Sequence, residues 1–78
     1  DIYALGLMLN EMFTGHVPQG AGYQTIASVS PDYSYLDPLV DWMIQQQPQQ
    51  RPESILEIKR ELISRKNSFV ALQELDAA

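Results

Sequence analysis

The chain opens with a helix-length run in which apolar side chains occupy almost every face. Residues 2–13 are rich in strong helix formers, and Asp1 suits an N-cap. Thr14-Gly15 supplies the stop, because glycine readily takes the left-handed conformation that ends many helices. A helix that is apolar all round is normally surrounded by protein, and few such neighbours fit into 78 residues. The chain also begins without methionine, so we expect a piece cut from a longer polypeptide.

Two further helices are predicted downstream. Asp37-Pro38 is a favourable helix entry, with Asp37 as the cap and an apolar stripe of Leu39, Val40, Met43 and Ile44 after it, beside Trp42. Ser54 and Glu57 have the spacing of a capping box, in which each side chain accepts a backbone N–H. The residues expected to face inward after that box are Ile55, Ile58, Leu62 and Ile63.

The connecting segments and the chain end complete this prediction. Residues 16–22 and 45–50 are expected to be loops, and residues 23–29 a small helix or an irregular segment. Glu61 and Arg65 are spaced for an i,i+4 ion pair, and the segment beyond Asn67 either extends the last helix or starts another. No stretch alternates polar and apolar residues as a strand would, so we expect an all-α fold.

Charge and composition exclude several classes of partner. Ten acidic and five basic residues give a net charge of −5, which repels nucleic acid and anionic lipid, so neither nucleic acid nor membrane is expected as a partner. The first apolar run is far shorter than the ~20 residues of a membrane span. The chain has no cysteine, which excludes disulfides and thiolate metal sites and favours a cytoplasmic location.

Motifs that could carry chemistry are incomplete. The spacing of Gly15 and Gly20 fits a phosphate-binding loop, but Ala21 and Gly22 replace the required Lys and Ser/Thr, and a Gly-x-Gly-x-x-Gly reading fails at Thr25. His16 is the only histidine and is expected to be an exposed loop residue rather than a metal ligand. Asp37 and Asp41 share a helix face, yet capping already accounts for Asp37. We therefore expect no catalytic, cofactor-binding or metal-binding residue in this chain.

Two segments nevertheless carry a specific likeness. The first, DIYALGLMLNEMFTG at residues 1–15, has the pattern Asp-x-aromatic-Ala/Ser-Leu-Gly followed by Glu-Met-x-Thr-Gly. The second, MIQQQPQQRPESILEI at residues 43–58, has Pro-x-x-Arg-Pro followed by glutamate, with Gln47 at a position where aspartate is common. In order and separation, both resemble the end of the large lobe of eukaryotic-type Ser/Thr protein kinases, the bacterial ones in particular. The resemblance implies a small helical subdomain like the last helices of that lobe.

The same resemblance implies roles for five residues. Asp1 corresponds to the aspartate that bonds the backbone of the catalytic His-Arg-Asp loop, and Arg51 to the arginine that pairs with the glutamate of the Ala-Pro-Glu motif. Met8 and Met12 correspond to the side of the helix that supports the stacked apolar residues below the adenine ring, although they are equally explained as core methionines; either role requires burial. Glu11 corresponds to a candidate contact for a basic residue of the protein substrate, or else to a structural carboxylate.

The resemblance also defines what this chain lacks. The glycine-rich loop, the ATP-binding lysine and the His-Arg-Asp and Asp-Phe-Gly motifs are absent, so ATP and Mg²⁺ belong to the longer parent and the chain alone is expected to be inactive. Residues 1–63 then form the lobe fragment and residues 64–78 a tail or linker. Its partners would be the rest of the kinase domain and the parent's protein substrate. With the partner glutamate missing, Arg51→Ala is expected to affect this chain's own stability little.

A different class of function remains open beside the kinase fragment. The chain could be a stand-alone helical interaction module without catalysis. Such a module would have to cover the apolar first helix, most simply by self-association with a second copy. A generic helical bundle with an accidental likeness is the third and weakest reading.

Overall fold

The computed structural model describes residues 1–20 and 22–77, which form a small all-α protein with three α-helices and no strand. Helix α1 spans Ile2–Thr14, α2 spans Asp37–Met43 and α3 spans Ile55–Ala77. Two short 3₁₀ helices, Pro31–Leu36 and Pro48–Gln50, precede α2 and α3. The all-α prediction is confirmed. Residues 16–20 and 22 form a loop as predicted, whereas the predicted loop 45–50 contains the 3₁₀ helix Pro48–Gln50.

Both ends of α1 form as the sequence predicts. An Asp1 Oδ1 atom accepts the backbone N–H of Tyr3 at 3.0 Å, which satisfies one of the free donors at the start of the helix. At the other end Gly15 has φ 78°, and its N–H donates to the carbonyl of Glu11 at 2.9 Å. A side chain at this position would be strained, so glycine fixes the end of α1.

The predicted capping role of Asp37 is wrong. Leu36 is the residue at the N-cap of α2 and gives it no side-chain hydrogen bond. The Asp37 carboxylate instead accepts the backbone N–H groups of Ile26 at 2.8 Å and Ala27 at 3.1 Å. Segment 23–29 is irregular, and this carboxylate supplies acceptors that an irregular backbone lacks. Asp37 thus holds a preceding loop rather than its own helix.

The core lies between α1, α2 and the segment that precedes α2. Its buried apolar residues are Ile26, Leu36, Leu39, Val40 and Met43, with Leu9, Phe13, Trp42 and Leu62 packed partly buried around them. The apolar stripe predicted for α2 is therefore confirmed. Helix α1 reaches α2 at Gly6, where an added Cβ would lie only 2.8 Å from the Cβ of Met43. The absence of a side chain at Gly6 sets the separation of the two helices.

The predicted capping box of α3 forms in part, because Glu57 reaches back to the residue before Ser54 and not to Ser54 itself. The N–H of Glu57 donates to Ser54 Oγ at 3.2 Å, and Glu57 Oε2 accepts the N–H of Glu53 at 3.0 Å. The Glu61–Arg65 pair also forms, with 2.9 Å between Oε1 and Nε. The inward face is only half right, because Ile58 and Leu62 are partly buried whereas Ile55 and Ile63 are exposed.

The last helix continues to Ala77 without a break, so residues beyond Asn67 extend it rather than starting another. The boundary expected between residues 63 and 64 falls inside this helix. Past that point α3 is held by Phe69, whose ring centroid lies 5.4 Å from that of Tyr35. The residues that follow Phe69 are exposed up to Asp76.

Candidate functional site

The two segments that carry the kinase resemblance meet at the start of α1. The Arg51 guanidinium carbon lies 4.6 Å from the ring centroid of Tyr3, within the range of a cation–π contact. Its Nε donates to the carbonyl of Gln45 at 2.6 Å and its Nη2 to the carbonyl of Gln46 at 3.1 Å. The arginine side chain is thus fixed by groups on both segments. Sequence reasoning named Arg51 but missed Tyr3 as its platform.

Asp1 lies beside this junction, joined to it through Tyr3. Its carboxylate accepts the Tyr3 N–H, while the ring of the same tyrosine carries Arg51. Asp1 is exposed and Arg51 is half-buried, and no carboxylate in residues 1–20 and 22–77 forms an ion pair with Arg51. The arrangement can present one carboxylate and one guanidinium from neighbouring positions on the surface.

The methionines of α1 lie on an open apolar face. Met8 is 56% exposed and Met12 75% exposed, so neither is a core methionine of this chain. With Leu5 they border a groove of about 190 Å³ between α1 and α3, whose lining is apolar throughout. Ile58 and Leu62 form its α3 side. The burial that both methionine roles require is therefore not supplied by the described part of the chain.

Glu11 is exposed on α1, next to Met12. Its backbone carbonyl closes the helix end by accepting from Gly15, and its carboxylate makes no hydrogen bond or ion pair within the described residues. This accessibility suits a charged group that meets a ligand or solvent. It does not distinguish the substrate contact from the structural alternative.

Asn10 is a buried polar residue that the sequence did not single out. It is 1% exposed, and its Nδ2 donates to the carbonyl of Gln24 at 3.0 Å. Its Oδ1 accepts from the Thr14 hydroxyl at 3.2 Å. A buried amide needs such partners, and these tie the loop after α1 back onto the helix. The only sequence signal was a polar residue interrupting an apolar run.

The two aspartates considered for acid–base chemistry have different surroundings. Asp37 holds the backbone of residues 26 and 27, while Asp41 is exposed. Burial raises the pKa of Tyr23, and the nearby carboxylates of Asp41 and then Asp37 raise that pKa further. Asp37 therefore holds a loop through hydrogen bonds, and both carboxylates raise the pKa of Tyr23.

No group of three or more His, Cys, Asp or Glu side chains within residues 1–20 and 22–77 could hold a metal ion. His16 is exposed, as predicted. Its backbone N–H donates to the Thr14 hydroxyl oxygen at 3.2 Å, which keeps the residue in the turn that follows α1.

Comparisons with protein-family models, curated proteins and solved structures gave no match for this chain. In the part of the chain that the structure describes, no helix combines the length and the apolar character needed to cross a bilayer.

Proposed function

We propose that this chain is the carboxyl-terminal part of the large lobe of a Ser/Thr protein kinase and serves as the helical scaffold for its catalytic loop and activation segment. Phosphoryl transfer from ATP to protein then belongs to the complete kinase, with ATP and Mg²⁺ held by residues outside this chain. The observation that carries the proposal is the junction of Arg51 with Tyr3, since it joins the two segments that resemble the family.

The hydrogen-bond donors that remain free on the Arg51 guanidinium, within the described residues, support this role. A guanidinium has five N–H donors, and two hydrogen bonds to the carbonyls of Gln45 and Gln46 use two of them. The remaining donors are available to a planar carboxylate, the partner for which arginine geometry is best suited. In the proposed kinase this carboxylate is the glutamate of the Ala-Pro-Glu motif. The arginine would thus be oriented before the activation segment docks.

The open face of α1 gives independent support. Leu5, Met8 and Met12 form an apolar helix face that is exposed to water, and such exposure is unfavourable in free energy. A lobe in which α1 is central would cover it with helices from the preceding part of the polypeptide. The sequence pattern of an all-round apolar helix and the partial burial in the structure are then explained together.

The test is to capture the native polypeptide from its source cells with an antibody against this chain, then measure its intact mass and sequence it by mass spectrometry. We expect a mass several times 8.8 kDa, with His-Arg-Asp and Ala-Pro-Glu motifs upstream of Asp1. A native mass of 8.8 kDa would overturn the proposal. In addition, calorimetry should detect no ATP–Mg²⁺ binding by the 78-residue chain; micromolar binding would contradict the predicted inactivity.

The exposed groove also favours the second candidate, a stand-alone interaction module. An apolar groove between two helices is a common docking place for an amphipathic helix, and methionine adapts to varied partners. In this case the groove would be a binding site for a partner and not part of a core that the rest of a kinase domain covers. The native mass decides between the candidates, because only the module can be complete at 78 residues.

A further inference from the structure

The carboxyl-terminal half of α3 carries two leucines that are largely exposed. Leu72 is 63% exposed and Leu75 is 73% exposed, in a segment that follows the last aromatic contact at Phe69. Two helical turns without tertiary packing are unstable in water, since most helical stability in proteins comes from packing one face. This half of α3 therefore needs a surface to pack against.

A complementary surface lies on the same helix, about two to three turns before Leu75. A hollow of about 410 Å³ is lined by Tyr35, Glu61, Ser64, Arg65, Ser68, Phe69 and Leu72. The small side chains Ser64 and Ser68 leave room beside α3 for a bulky residue from another helix. Helix spacing places Ser64, Ser68 and Leu75 on one side of α3. The leucine that projects from the helix and the serines that leave room beside it therefore lie on the same face.

We propose that a second copy of this chain packs its α3 antiparallel to the first, so that Leu75 of each copy enters the hollow at Ser64 and Ser68 of the other. Leu72 of each copy would pack beside it. An antiparallel pair of identical helices has two-fold symmetry, and a two-fold interface requires a self-complementary surface. Protruding and receiving residues on one face of one helix satisfy that requirement.

The charges of α3 favour this occupant over an unrelated partner. In the part of α3 that such a pair would overlap, residues 63–77, the basic residues Arg65 and Lys66 precede the acidic residues Glu74 and Asp76. Glu61, one turn before Arg65, already pairs with it within the same helix. Antiparallel packing therefore opposes the basic part of one copy to the acidic end of the other. With the two-fold axis near Val70-Ala71, Arg65 and Asp76 lie on the same side of the seam and can pair between copies.

The exposed surface area is larger than that of a closed monomer, and the leucines at the end of α3 contribute to it together with the open face of α1. The chain exposes 5425 Å². A folded monomer of this mass is expected to expose about 4,800 Å². The excess of about 600 Å² is close to the ~800 Å² that each partner buries in a standard interface. The residues involved lie outside the segments that resemble kinases, so the dimer does not depend on the proposed function and is compatible with a larger parent.

Sedimentation equilibrium of the purified 78-residue chain tests the proposal. We expect a monomer–dimer equilibrium that the double variant Leu72→Ser/Leu75→Ser weakens at least about tenfold. Both positions are exposed, and circular dichroism checks that the fold persists. The matched control is Met8→Ser/Met12→Ser, which removes equally exposed apolar residues from the α1 groove and should leave the dimer intact.

A charge reversal tests the orientation. Asp76→Arg should weaken the dimer severalfold by opposing Arg65 of the other copy, although a basic residue near the end of a helix favours the helix itself. Glu74→Arg makes the same charge change at a position about 160° around the helix from Asp76, and it should weaken the dimer less. A wild-type chain that stays monomeric up to about 1 mM would overturn the proposal. So would a dimer that is lost on substitution of Met8 and Met12 but kept on substitution of the leucines.

Discussion

The guanidinium of Arg51 rests on the ring of Tyr3, 4.6 Å from its centroid, and the same group donates to the carbonyls of Gln45 and Gln46. This changes the expectation that Arg51→Ala hardly affects the chain. The substitution removes two charged hydrogen bonds and a cation–π contact. We expect a loss of about 2–3 kcal/mol in the free energy of unfolding, measured with urea.

The contributions at this junction can be separated by variants of the platform. Tyr3→Phe keeps an aromatic face and should lower stability much less than Tyr3→Leu, which removes it. Arg60→Ala is a suitable control because Arg60 is exposed on α3. An Arg51→Ala variant as stable as Arg60→Ala would show that these contacts do not stabilise the fold.

Gly6→Ala tests the close approach of α1 and α2. An added methyl group would lie 2.7 Å from Ile44 Cγ2 and 2.8 Å from Met43 Cβ, and the latter atom cannot move without its helix. We expect the resulting overpacking, of about 1–3 kcal/mol, to exceed the gain of up to about 1 kcal/mol in helix propensity. Urea unfolding should therefore show a net loss of stability.

The matched control is Gly22→Ala, where an added Cβ meets nothing within 4 Å. Its stability should stay close to that of the wild type. A Gly6→Ala variant more stable than wild type would mean that α1 and α2 can separate at little cost.

Local features of this fold could be predicted from sequence because their partners lie within four residues. Asp1 and Gly15 bound α1, and the Glu61–Arg65 pair forms as its spacing indicates. The junction of Tyr3 with Arg51 was missed because its members are far apart in the chain. Asp37 was misassigned because two N–H groups about ten residues upstream compete successfully with its own helix for the carboxylate.

Burial was the least predictable property of the candidate site. Periodicity identifies an apolar face but not whether a neighbour covers it. This is why Met8 and Met12 could be placed on α1 and yet were expected to be buried. Asn10 shows the reverse case, since its hydrogen-bond partner Gln24 comes from a loop that no pattern could position.

Asp37→Ala tests the link between α2 and the irregular segment before it. The change removes the acceptors of two backbone N–H groups, one of them on the fully buried Ile26. We expect a loss of about 2–4 kcal/mol, because buried donors without partners are costly. Amide hydrogen exchange at Ile26 and Ala27 should accelerate more than exchange within α1.

Two further variants test whether the lost hydrogen bonds of the Asp37 carboxylate cause the loss of stability. Asp37→Asn keeps one acceptor oxygen and should give an intermediate loss, whereas Asp32→Ala removes an exposed carboxylate and should cost little. If Asp37→Ala and Asp32→Ala were equally stable, the loop would not depend on this carboxylate.

Tyr23 should make the stability of the fold depend on alkaline pH. Burial raises its pKa above the ordinary value of 10.0, and the Asp41 and Asp37 carboxylates add to the rise because they oppose a second negative charge. The folded chain thus holds the phenol proton more tightly than the unfolded chain does. The resulting stabilisation is fully present below pH 10.0 and is lost as the pH rises through the higher pKa of the folded state.

Urea unfolding at several pH values between about 8 and 11 measures this loss. Tyr23→Phe has no proton to release, so its free energy of unfolding should fall less steeply above pH 10.0 than that of the wild type. Asp41→Asn removes the carboxylate with the larger effect on this pKa and should shift the tyrosinate absorbance change of the folded chain to lower pH. If the free energy of unfolding fell equally with pH for the wild type and Tyr23→Phe, the phenol would have the same pKa in the folded and unfolded chains. That result would contradict the raised pKa expected beside Asp41 and Asp37.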